Sequence, residues 1–245
     1  MSQAPTPAGP ITLASHSSTV VHRVGYRPDA WRWTPWQYAT NGRFGGRWDD
    51  PAGVWRTLYV GDTRLACYLE VLACMRPDPT LTADLAAIDD EDEDALLYPT
   101  QPPGVIPRAW CDRRIVASGA LYGEFVLIGD MHTLATLRRG FRPLAIQMGL
   151  DDLDAAAIRD ARPRALTQRI SASLYPLTTR SAEPVTGVEF SSRHADNRRL
   201  WAIYERPEDP DITPAITPAP THDCVDPTDP ELVDAMVLLD LHWAD

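Results

Sequence analysis

Three short stretches hold the residues whose types and spacing could do chemistry. The first is Gly42-Arg43-Phe44-Gly45-Gly46-Arg47-Trp48-Asp49. Its glycines permit tight turns and close approach to a ligand. Its arginines offer planar, bidentate contacts to phosphate or carboxylate. The second is Glu70 inside the apolar run LACYLEVLAC. A carboxylate there loses solvation unless it is paired or used. Such a residue reads either as a helix-edge acid reaching an arginine or as a functional acid. The third is Phe190-Ser191-Ser192-Arg193-His194. It reads either as a polar strand end entering a hairpin loop or as part of a site.

Several familiar chemistries are excluded. No GxSxG elbow surrounds Ser192, so a serine hydrolase of that type is not signalled. The glycine cluster is not GxGxxG and precedes no helical pattern, so neither a dinucleotide fold nor a P-loop is indicated. Cys67, Cys74, Cys111 and Cys224 have no CxxC spacing and the six histidines form no HExxH, so no metal site is expected. The cysteines are expected to be reduced thiols.

The 245 residues carry 23 basic and 34 acidic side chains, a net charge of −11. The basic residues are arginines. The excess of acid argues against general nucleic-acid binding, which needs a basic face. Part of it is the run DDEDED at 89–94, read as a solvated loop. No stretch is long and apolar enough to span a membrane, and the first residues lack the pattern of a signal peptide. The cytoplasm is therefore the expected location.

The elements that must position the three stretches follow from pattern. TLYV at 57–60, ended by Gly61-Asp62, predicts a strand into a turn. Asp62 is the expected N-cap of a helix over 63–73, with Leu65, Leu69 and Leu72 as its core stripe. A second helix is expected over 165–174. GVEFS at 187–191 and LWAIYE at 200–205 predict two strands joined as a hairpin. Residues 1–19, rich in Pro, Ser and Thr, are expected to be a flexible segment. Residues 76–107 read as a long insert. Residues 206–245 read as a Pro-rich tail without regular structure, ending in a helix capped by Asp229 that packs on the domain.

Taken in order, GGRWDDPAG, TLYVGDTRLACYLEVLA, TGVEFSSRH and LWAIYE resemble the RES domain family, with Arg23-Val24 and RALTQRISASLY adding to the match. The resemblance covers residues 20–205. Members of that family are NAD-degrading bacterial toxins, usually paired with a helix-turn-helix antitoxin. The resemblance implies an α+β fold, a compact split mixed sheet with surrounding helices, similar to that of the ADP-ribosyltransferases. It places the family's arginine, glutamate and serine on Arg47, Glu70 and Ser192, with Arg23 and Tyr59 as further NAD-binding positions. Phe190 stands where the family often has Tyr, and Trp48-Asp49-Asp50 is more acidic than the common form.

The implied activity is cleavage of the nicotinamide–ribose bond of NAD by water or inorganic phosphate, with NAD as substrate and no other cofactor. Glu70 would stabilise the positive charge that builds on the ribose, and Ser192 would orient Glu70. Arg23 and Arg47 would bind the pyrophosphate, and Tyr59 would stack on the nicotinamide. An ADP-ribosyltransferase acting on a macromolecule is an alternative, although it needs a second glutamate and residue 68 is Tyr. A non-catalytic interaction protein using the tryptophans and the Pro-rich tail is another. Self-association stays open. One geometric expectation follows. Glu70 and Ser192 must meet within a hydrogen bond or one bridging water, with Arg47 facing the same cleft.

Overall fold

The computed structural model describes residues 2–78, 80, 102–160 and 162–244. The acidic run at 89–94 and most of the 76–107 insert lie outside the described residues. The fold is α+β, with a large mixed sheet and helices around it. Its elements are β1 (Ser2–Thr6), β2 (Gly9–Tyr26), β3 (Thr57–Gly61), α1 (Arg64–Leu72), β4 (Val105–Ile106), α2 (Ala109–Asp112), β5 (Arg114–Leu127), α3 (Met131–Gln147), α4 (Ala155–Arg159), α5 (Arg164–Leu174), β6 (Gly187–Ser191), β7 (Arg199–Tyr204), β8 (Ile216–Cys224), α6 (Pro230–Leu238) and β9 (His242–Trp243). Among the described residues no helix is long and apolar enough to cross a membrane.

Seven strands are ordered β1-β2-β3-β7-β6-β5-β8, and β2 also pairs with β5. That extra pairing closes β2, β3, β7, β6 and β5 into a ring. The β2–β5 ladder is long, from Leu13↔Val126 to Tyr26↔Arg114. The β2–β3 junction rests on a single pair, His22↔Gly61. Beyond it the two strands part, and an opening is left between the end of β2 and β3. Helix α1 follows directly from the end of β3 at this opening.

Strand alternation sorts the side chains to two faces. Leu58 and Val60 of β3, and Trp201 and Ile203 of β7, pack with Trp31, Trp33 and Phe125. On the other face Val188 and Phe190 of β6, and Leu200, Ala202 and Tyr204 of β7, pack with Trp48 and with Leu166, Ile170 and Leu174 of α5. A third cluster joins Tyr68, Leu69 and Leu72 of α1 to Leu232, Ala235 and Met236 of α6.

The strand at 57–61, the hairpin β6–β7, α5 and α6 with Asp229 as its cap are where the sequence predicts them. Three expectations are corrected. Residues 2–19 of the expected flexible segment 1–19 are regular structure. They form β1 and half of β2, with Ala4, Ile11 and Leu13 buried. Their apolar residues are spaced for a sheet whose partner, β5, lies about a hundred positions away. The Pro-rich tail is not without regular structure either, because residues 216–224 form β8 against β5. Pro5 and Pro218 are tolerated because β1 and β8 are the two edges of the sheet, where a missing N–H costs no ladder bond. Finally, the N-cap of α1 is Thr63, whose hydroxyl accepts from the Ala66 N–H at 3.1 Å. Asp62 instead accepts from the Arg199 N–H at 3.0 Å and ties the helix start to β7.

Candidate active site

The opening between β2 and β3 is the mouth of a cleft of about 740 Å³, within the size range of small-molecule sites. One wall is the end of β2 and β3, from which Arg23 and Tyr59 face the cleft. Arg23 spans the opening, its Nη1 donating to the Tyr59 carbonyl at 2.7 Å. Helix α1 forms the opposite wall. Leu69 and Leu72 turn into the core, whereas Cys67, Glu70, Val71 and Cys74 line the cleft. Those four stand at i, i+3, i+4 and i+7, a second helical face beside the leucine stripe. Glu70 belongs to that face, half-buried, which explains a carboxylate in so apolar a run.

Glu70 and Ser192, 122 positions apart, are in direct contact, with the Ser192 hydroxyl donating to Glu70 Oε1 at 2.7 Å. Ser192 immediately follows β6 and is fully buried. Its oxygen also accepts from the His194 N–H at 3.0 Å. The hydroxyl therefore has its proton directed at Glu70 and its lone pair held by the loop. Ser192 sits behind Glu70 rather than on the cleft surface, which is where a positioning group belongs.

Arg47 reaches the same cleft from the glycine loop, with 7% of its surface exposed. Its guanidinium lies 4.8 Å from the Phe190 ring centroid, and Nη1 donates to the Arg159 carbonyl at 3.2 Å. Nη2 is buried without a partner among the described residues. Burial lowers the Arg47 pKa, and the charge of Glu70 opposes that shift. Burial also pulls Arg23 down to about 10, still protonated at neutral pH.

The glycine loop is held by its own acids and by α5. Asp49 accepts from the Gly46 N–H and from the Tyr59 hydroxyl, the latter at 2.9 Å. The Trp48 N–H donates to the same hydroxyl at 3.0 Å. Asp50 accepts from the Ala52 and Val54 N–H groups. Gln168 and Ser171 of α5 donate to the Gly46 and Trp48 carbonyls. The acidic pair in Trp48-Asp49-Asp50 thus satisfies backbone donors. Burial raises the Asp49 pKa, and burial together with Asp49 raises that of Tyr59 well above its usual value. Tyr59 presents its ring to the cleft with its hydroxyl already engaged. Gly46 must be glycine, since a Cβ there would stand 2.4 Å from the Tyr59 hydroxyl.

All five residues singled out in the sequence are therefore gathered here, four on the cleft wall and Ser192 behind it. Sequence reasoning missed the rest of the lining. Arg76, Arg114, Arg164 and Arg193 also face the cleft, making six arginines with Arg23 and Arg47. Among the described residues none of the six is in an ion pair, and Glu70 is the single acid of the lining. In a chain of net charge −11 this is a local reversal of sign. Arg193 belongs to the third stretch singled out in the sequence, whereas Arg76, Arg114 and Arg164 lie on separate loops and element ends that no spacing announces. His194 lines the cleft as well. Its position two after Ser192 was the available signal.

The fold and the site thus define a protein with an arginine-lined cleft built around one oriented carboxylate. Residues 20–125 match the family model of the RES domain. The resemblance read from the motifs is borne out over that segment, which contains Arg23, Arg47, Tyr59 and Glu70 and ends before Ser192. Among solved structures, the chain is similar to one in the crystal structure of the M. tuberculosis MbcT-MbcA toxin-antitoxin complex, at 12% identity and a TM-score of 0.44, covering 93% of this chain and 92% of that one. None of the curated proteins matches the sequence significantly.

Proposed function

We propose that this protein degrades NAD by cleaving its nicotinamide–ribose bond, and that it acts as the toxin of a toxin–antitoxin pair. The observation that carries the reading is Glu70. Among the described residues it is the single acid in a cleft of six arginines that form no ion pair, and a buried serine holds it at 2.7 Å. The substrate this arrangement suits has a pyrophosphate for the arginines and a centre that becomes cationic for the carboxylate. NAD has both. Its nicotinamide leaves as a neutral molecule, so no general acid is required. One carboxylate suffices, unlike the two of most glycosidases. The Arg47 Nη2 and Arg23 Nε atoms, buried without partners among the described residues, are donors left for the phosphates. The Tyr59 ring offers a stacking surface for the nicotinamide. The RES domain match supports the same assignment, and through it a helix-turn-helix antitoxin as partner and a cytoplasmic target pool of NAD.

A transferase acting on a macromolecule fits less well. Residue 68, where a second carboxylate would be needed, is Tyr68, fully buried with its hydroxyl donating to Asp229 at 2.9 Å. Mixing purified protein with NAD and separating the products tests the proposal. Free nicotinamide with ADP-ribose or its 1-phosphate is expected. ADP-ribose found attached to a macromolecule would favour transfer. A folded protein that binds NAD without releasing nicotinamide would refute the enzymatic reading.

A further inference from the structure

The inference concerns the acceptor, and it rests on the NAD-cleavage reading. As nicotinamide leaves, something must deliver an oxygen to the ribose carbon in the same step. Glu70 faces the cationic sugar and is held by Ser192, so a different group must handle the acceptor's proton. Few residues of the cleft qualify. The arginines carry protons at neutral pH and make poor bases. Burial raises the Tyr59 hydroxyl far out of range, and that hydroxyl is bound to Asp49. Burial pushes the Cys67 thiol up to about 12, and that thiol donates to the His22 carbonyl. His194 remains. It lines the cleft half-buried, and neither ring nitrogen is hydrogen-bonded to a described residue. Its backbone N–H holds the serine that holds Glu70, so the residue is anchored in the same loop that orients the carboxylate.

We propose that His194 is the general base of the reaction and that water is the acceptor. The C1′–N bond breaks, and its electron pair stays on the nicotinamide nitrogen, which leaves neutral. A water oxygen forms the new C1′–O bond, and one of its protons passes to the unprotonated imidazole nitrogen. The imidazolium then releases that proton to solvent. NAD and water thus give ADP-ribose, nicotinamide and one proton. A phosphate dianion would need no such base, so an imidazole placed here points to water. The charged groups around the ring are Glu70 from α1, Arg76 just beyond it, Arg47 from the glycine loop and Arg193 from its own loop. Burial is the largest influence and lowers the His194 pKa below 6.5, which keeps the ring an unprotonated base at neutral pH.

The test uses His194→Asn and His194→Gln, which leave the backbone N–H on Ser192 intact, with thermal melting to verify folding. Nicotinamide release should fall about 100-fold with KM for NAD nearly unchanged. The wild-type rate should rise with pH through a midpoint below 6.5, and that limb should vanish in both variants. Azide, a nucleophile with no proton to lose, should restore nicotinamide release to His194→Asn and yield an azido-ADP-ribose, but should not rescue Glu70→Gln. A folded His194→Asn with wild-type rate and pH profile, or one that azide does not rescue, would overturn the proposal. So would a wild-type enzyme that makes ADP-ribose 1-phosphate in place of ADP-ribose in phosphate buffer, while leaving the NAD reading intact. Wild-type protein that releases no nicotinamide at all would overturn the NAD reading and this inference with it.

Discussion

Ser192→Ala removes one oxygen atom and separates positioning from charge. The hydroxyl donates to Glu70 at 2.7 Å and accepts from the His194 N–H at 3.0 Å, in full burial. A hydrogen bond to a charged group is worth about 1.5–3 kcal/mol, more than the ordinary ~1 kcal/mol of a neutral one. Without it Glu70 keeps its place on α1 but loses the contact that fixes its rotamer. If that orientation is used in the transition state, a loss of about 1.4–2.8 kcal/mol corresponds to a roughly 10–100-fold lower kcat. Substrate affinity should change little, because Ser192 is not on the cleft surface. Folding stability should fall by about 1–2 kcal/mol, because the His194 N–H loses its acceptor. Steady-state nicotinamide release, with urea unfolding alongside, measures both effects. A stably folded Ser192→Ala with kcat within twofold of wild type would show that the Ser192–Glu70 contact supports the fold only, and the reasoning would be refuted.

Four further outcomes are expected. Glu70→Gln should keep the fold and lose about 10²–10³ in turnover, the usual cost of removing an electrostatic contact to a developing charge; near-wild-type nicotinamide release would count against its role. Arg47→Ala should weaken NAD binding more than Arg47→Lys in titration calorimetry, since a guanidinium pairs phosphate in two places, and equal affinities would reduce Arg47 to a loop residue. Gly46→Ala should displace the Tyr59 hydroxyl and Asp49, which its Cβ would approach to 2.4 and 2.6 Å, so that turnover and melting temperature fall together; an unchanged melting temperature would contradict the packing described. Thr63→Ala should cost about 0.5–2 kcal/mol in chemical denaturation through the lost α1 cap, and Asp62→Ala should not act through that cap; the reverse order would restore Asp62 as the capping residue.

Local pattern in the sequence determined the pieces. The leucine stripe of α1, the strand before it, the β6–β7 hairpin and the Asp229-capped α6 were legible because each is set by neighbours within a turn or two of chain. The chemistry-bearing residues were legible for a related reason. Glycines beside Arg47, a carboxylate in an apolar helix and a serine at a strand end are unusual locally, whatever the fold around them. What the chain does between distant segments was not legible. β1, the start of β2 and β8 look like loose Pro-rich ends, because their apolar alternation gains meaning only against β5, and their prolines only at sheet edges. The cap of α1 fell on Thr63 because Asp62 is claimed by the Arg199 N–H across the sheet. Above all, the sequence named Glu70, Ser192 and Arg47, while only the tertiary structure made them a site. The β2–β3 ladder stops after one pair, and the gap it leaves collects, among the described residues, six arginines from six places in the chain around one carboxylate. Periodicity records what lies a few residues away, and a cleft is made by contacts that close over a hundred.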